Sequence, residues 1–103
     1  MISGPVNGGP DQTRAVCMVV NAGTAPITFT TKEFLAQFRE IHPVYDDCGT
    51  ALAAGRTCNF QGPSVDQAAA CKISILELKT NVRGTMVGLD YDNNIWLNHT
   101  DLR

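Results

Sequence analysis

The sequence predicts a predominantly β fold, and three observations carry that expectation. Ala15, Val16, Cys17, Met18, Val19 and Val20 form a continuous apolar run rich in β-branched residues and too short for a helix. Ile27-Thr28-Phe29-Thr30 alternates apolar and polar residues with the period of a half-buried strand. Residues 82–89 and 95–100 are β-rich segments joined by Asp90-Tyr91-Asp92-Asn93-Asn94, whose Asp and Asn residues tolerate the positive φ angles of a hairpin turn.

The elements follow in order. Residues 1–14 read as a disordered arm, because Gly4, Pro5, Gly8, Gly9 and Pro10 cannot sustain a regular element. The folded domain is therefore expected over residues 15–103. The first strand ends at the turn Asn21-Ala22-Gly23, and Pro26 opens the second. Phe34, Leu35, Phe38 and Ile41 then recur at helical spacing. Thr30 with Glu33 matches a capping box, so residues 31–41 predict one short amphipathic helix stopped by Pro43. Residues 42–58 form a loop and crossover. Ser64 with Gln67 offers a second capping box, whereas Cys71, Ile73 and Ile75 alternate with Lys72 and Ser74. The preferred reading is a helical turn near 65–69 running into a strand at 70–78. Gly84 and Gly88 inside the next strand predict bulges or close packing against a bulky partner, with Trp96 the candidate.

The 103 residues carry 8 basic and 10 acidic side chains, a net charge of −2, and suit one domain. No apolar run approaches the roughly 20 residues of a membrane span. Arg14, Lys32, Arg39, Arg56, Lys72, Lys79, Arg83 and Arg103 are scattered, with no stripe to neutralise a row of phosphates, which argues against nucleic-acid binding.

Four cysteines, Cys17, Cys48, Cys58 and Cys71, are the informative exception to this plain composition. They lack the paired Cys-x2-Cys hooks of a zinc site, and His42 and His99 stand apart from them, so no metal and no cofactor are expected. Two disulfides in an oxidising compartment are the better reading, against an alternative of four free buried thiols. Of the three possible pairings, Cys48 with Cys58 is favoured. Between them lies a small-residue stretch with Gly49 and Gly55 near its ends, and Cys17 is left with Cys71. The first ten residues show neither the basic nor the apolar region of a signal peptide, so an exported chain would have lost its signal.

Residues 20–28, Val20-Asn21-Ala22-Gly23-Thr24-Ala25-Pro26-Ile27-Thr28, together with the ring Cys48-Gly49-Thr50-Ala51-Leu52-Ala53-Ala54-Gly55-Arg56-Thr57-Cys58, resemble the motif pair of bacterial immunoglobulin-like modules. These are the modules related to the Hydin-like and choice-of-anchor domains. The resemblance spans residues 15–62 and implies a sandwich of about seven strands, a Cys48–Cys58 bridge, and a role in adhesion, assembly or surface display. The chain departs from the pattern at Ala54, where such modules usually carry proline, at Phe60-Gln61-Gly62-Pro63, and at Cys71, which has no usual counterpart.

Candidate chemistry is sparse. His42, Asp46 and Asp47 with Ser64 or Ser74 would be the parts of a small secreted hydrolase, but no nucleophile elbow, phosphate loop or metal-binding pair accompanies them. Asp90, Asp92, Asn94 and Asp101 match calcium-loop positions only superficially, since Ile95 replaces the turning glycine. Asn98-His99-Thr100 is a glycosylation sequon with weight only in a eukaryotic secreted protein. The expectation is thus an all-β, immunoglobulin-like, non-catalytic module, periplasmic or secreted. It would contact a protein partner, or a second copy of itself, through Phe34, Phe38, Tyr45 and Tyr91. A small secreted hydrolase or enzyme inhibitor is the alternative.

Overall fold

A computed structural model describes residues 1–3, 14–36, 39–63, 70–77, 79–90 and 95–103. Among the described residues nine strands run in the order β1 (Arg14–Asn21), β2 (Ile27–Ala36), β3 (Arg39–Ile41), β4 (Tyr45–Asp46), β5 (Ala51–Leu52), β6 (Thr57–Pro63), β7 (Ala70–Ile75), β8 (Val82–Asp90) and β9 (Ile95–Asp101). A 3-10 turn, Lys79–Asn81, precedes β8. The strands form two antiparallel sheets, one ordered β4-β6-β1-β8-β9 and the other built on β2, which pairs with β7 on one side and with β3 and β5 on the other.

The apolar run 15–20 becomes the central strand of the five-stranded sheet because both of its edges are paired, to β6 and to β8. Its alternate residues Ala15, Cys17, Val19 and Asn21 face the core. Phe60 and Met86 stand in register with Cys17 on either side. From the other sheet come Ile27, Phe29 and Phe34 of β2 and Cys71 and Ile73 of β7, and the Phe34 and Phe60 rings meet at 5.3 Å. The Cys17–Cys71 disulfide, with Cα atoms 6.1 Å apart, ties the two sheets through this core.

The helix expected over 31–41 is replaced by the end of β2 and by β3, joined through residues 37 and 38, which lie outside the described residues. The helical spacing of Phe34 and Ile41 is a cross-strand pair, and Glu33 meets Lys72 at 3.4 Å where a capping role was expected. Tertiary pairing overrides local propensity here, since Phe34 gains full burial as a strand residue. A bulge between Phe29 and Thr31 switches the inward set from Ile27 and Phe29 to Phe34.

Residues 70–75 are a strand, as the alternation indicated, and the helical turn expected near 65–69 lies outside the described residues. The bulge expected near Gly88 falls between Gly88 and Leu89. Gly84, by contrast, is crowded by Leu102, whose side chain would lie 2.9 Å from an added Cβ.

Residues 1–3, assigned by composition to the arm, are paired on both sides. Met1 and Ile73 exchange hydrogen bonds, and the Ser3 N–H donates to the Cys71 carbonyl. On the opposite side Ile2 and Arg103 exchange two more. Ser3 is buried, and its hydroxyl oxygen accepts from the Cys71 N–H. The segment therefore links β7 of one sheet to the chain just beyond β9 of the other. Residues 4–13 of the expected arm lie outside the described residues.

Candidate binding surface

The Cys48–Cys58 disulfide closes the predicted ring, with Cα atoms 4.9 Å apart. Gly49 and Gly55 adopt φ of 63° and 73°, the left-handed conformation that glycine takes without a Cβ penalty, which explains glycine at both turns. The ring is fixed to the first turn by Asn21. Its side-chain amide donates to the Ala25 and Leu52 carbonyls, and its side-chain oxygen accepts from the Gly23 N–H. Backbone bonds from Asn21 N–H to the Arg56 carbonyl and from Gly55 N–H to the Asn21 carbonyl complete the attachment. The two sequence motifs are thus one structural unit. With all four cysteines paired, the chain is suited to an oxidising environment.

Immediately before the ring the chain passes along the rim of the five-stranded sheet. Asp46 pairs with Lys32, which also donates to the Gly49 carbonyl. The Lys32 Nζ lies over the Phe29 ring, 5.3 Å from its centroid, so an inward register position delivers its charge to the rim. The other Asp46 oxygen accepts from the Cys48 N–H. Asp47 accepts from both the backbone N–H and the side-chain amide of Asn59. Asn59 accepts from Gln61, and Gln61 in turn accepts from Arg14 at 3.5 Å. Asp47, Asn59, Gln61 and Arg14 therefore form a hydrogen-bonded polar row across β6 and β1.

Beside this row stand Val44, 64% exposed, and Tyr45, 48% exposed. Tyr45 is in register with Gln61, which is in register with Val16 and so leads across the outer sheet face to Val87. Val16 and Val87 are buried there with Met18 beside them, and Val20 at 37% exposure continues the apolar strip. This rim presents an exposed aromatic and aliphatic pair, a polar border and little freedom to rearrange.

The four aromatic contact candidates separate. Tyr45 is exposed on the rim. Phe34 is a core residue, 1% exposed, because the β2 bulge turns it inward, and this corrects its assignment as a contact residue. Phe38 and Tyr91 lie outside the described residues, as do Asp92 and Asn94 of the calcium-like loop. Val44 and the polar row escaped sequence reasoning. The alternation of Thr57, Asn59 and Gln61 with Cys58 and Phe60 was the available signal.

The hydrolase candidates are dispersed. Asp46 and Asp47 are engaged as described, His42 is exposed in the loop after β3, Ser74 sits on β7 in the other sheet, and Ser64 lies outside the described residues. Asp47 approaches Cys48 and Cys58 closely enough to suggest a ligand cluster, but their sulfurs are joined to each other. An open cavity of about 130 Å³ is lined by Asn21, Gly23, Glu77 and Asn81 among others. Asn21 is committed to the turn and Glu77 accepts from the Thr28 N–H, so these polar groups serve the fold. No helix among the described residues is long and apolar enough to cross a membrane. Comparison with protein-family models, curated proteins and solved structures returns no match.

Proposed function

We propose that the chain is a non-catalytic extracytoplasmic binding module of the immunoglobulin-like kind, periplasmic or secreted, that docks a protein partner on the rim formed by Val44, Tyr45 and the polar row. The resemblance to Hydin-like and choice-of-anchor modules supports a place in adhesion, assembly or display. The observation that carries the reading is the rigid exposure of Val44 and Tyr45 between the Cys48–Cys58 ring and the Asp47–Asn59–Gln61 hydrogen bonds. An aromatic anchor beside hydrogen-bonding groups held in place is the composition of an interface centre, because little side-chain entropy is lost on docking.

The test places a photoreactive phenylalanine analogue at Val44, or at Thr57 as an exposed control, in the chain exported by its native host. One discrete adduct formed at position 44, absent at 57 and reduced at least tenfold by Tyr45→Ala, is the expected result. Equal capture at both positions counts against the rim. Four alkylatable thiols in the native protein would remove the extracytoplasmic assignment.

A further inference from the structure

Met1, Ile2 and Ser3 occupy a groove with a complete set of strand partners. On one wall are Cys71 and Ile73 of β7, and on the other is Arg103, beyond the end of β9. Two isolated antiparallel bridges fix the register, Ile2 with Lys72 and Ser3 with Leu102. Removed from this groove, the segment would leave an open β7 edge beside the main sheet-to-sheet disulfide, the kind of edge that pairs with another chain.

Two features make the occupant exchangeable. The three residues are held by backbone bonds, by buried Ser3 and by Met1, which packs against the core, while Ile2 is 46% exposed, and the same residues of a second copy can remake every one of these contacts. Ser3 and Arg14 are separated by ten residues, including Gly4, Pro5, Gly8, Gly9 and Pro10. At about 3.3–3.6 Å per residue the contour between them reaches roughly 36–40 Å. That contour is comparable to the 40 Å longest dimension of the molecule, a length of chain sufficient for residues 1–3 to be donated to a neighbouring copy.

We infer that the groove between β7 and the end of β9 is a strand-acceptor site, and that it takes residues 1–3 of a second copy of this chain in place of its own. The bonds made in trans are those already made within the chain. The concentration of the second copy therefore sets the balance between the closed monomer and the exchanged assembly. Reciprocal exchange gives a closed dimer and sequential exchange an open string. This surface is separate from the Tyr45 rim, so the two can fail independently.

The experiment mixes one preparation carrying Ile2→Cys with another carrying Lys72→Cys and applies mild oxidation across a range of protein concentrations. Met1 with Ile73 and Ser3 with Cys71 make the hydrogen bonds, which leaves positions 2 and 72 as a non-hydrogen-bonded pair with close Cβ atoms. A heterodimer linked between positions 2 and 72, rising with concentration and at least tenfold above the yield when Thr57→Cys replaces Lys72→Cys, is expected. Adding Ser3→Pro to the Ile2→Cys chain removes the Ser3 N–H and should lower that yield to the control level. Equal yields with both partners overturn the inference. So does a dimer of the unmodified chain by light scattering in which the mixed preparations form no link between positions 2 and 72. Should either cysteine variant fail to fold, the unmodified chain at high concentration supplies the same test. A dimer abolished by Ser3→Pro supports exchange, and a strict monomer refutes it.

Discussion

Gly62→Ala tests the packing that joins the two sheets. Gly62 lies on β6 in register with Ala15, and a Cβ built there falls 2.8 and 2.9 Å from two atoms of the Phe34 ring. That ring has nowhere easy to go, since Phe34 is 1% exposed and already rests on Phe60. Restoring carbon–carbon contact near 3.5 Å requires a shift of about 0.7 Å. Overpacking a rigid core costs about 1–3 kcal/mol, and the reduced freedom of the unfolded chain returns about 0.4–1 kcal/mol. The net loss is about 1–2 kcal/mol, a fall in Tm of about 5–15 °C for a domain of this size. Thermal and urea unfolding of the oxidised protein by circular dichroism measures it. Phe34→Leu in the same background should recover part of the loss, giving a favourable coupling of about 1 kcal/mol in the double-mutant cycle. A Gly62→Ala protein as stable as the parent, or strictly additive substitutions, would show that Phe34 does not fill the space over β6.

The two disulfides should differ in worth. Loop-closure entropy gives about 3 kcal/mol for the Cys48–Cys58 ring, with a sequence separation of 10, and about 4 kcal/mol for Cys17–Cys71, with a separation of 54. Paired alanine substitutions followed by urea unfolding should show the larger loss for Cys17 and Cys71, and the reverse order contradicts this account. Asn21→Ala strands the Gly23 N–H and leaves the Leu52 carbonyl without its side-chain donor, so it should destabilise by about 2–4 kcal/mol. Amide exchange at Gly55 and Arg56 should accelerate in the same variant, because their bonds to Asn21 and Ala53 depend on the ring's attachment; unchanged exchange would detach the ring from the turn.

Several elements were legible because their determinants are local. The run 15–20 is apolar on both faces and reads as a buried strand, and the structure pairs it on both edges. Glycine at the ends of a cysteine-bounded stretch predicts a turn-closed ring, and Gly49 and Gly55 have the required positive φ. Residues 31–41 were misleading because helical spacing and a hairpin with Phe34 opposite Ile41 produce the same pattern, which only pairing to β7 resolves. Phe34 looked available for contact for a related reason. A one-residue bulge at Phe29/Thr31 sets which face it occupies, and a bulge leaves little trace in composition.

The sequence by itself determined a β-rich chain and favoured two disulfides in the pairing observed, since these follow from residue type, alternation and spacing. Only the tertiary structure decided that Met1–Ser3 belong to the sheets, because a three-residue strand has no periodicity to read and is specified entirely by the edges it joins. Tyr45 likewise became a surface residue, and Phe34 a core residue, through the placement of β4 on the rim and of β2 against β7. Burial is a property of the assembled sheets, and local sequence carries it only where both faces of a strand agree.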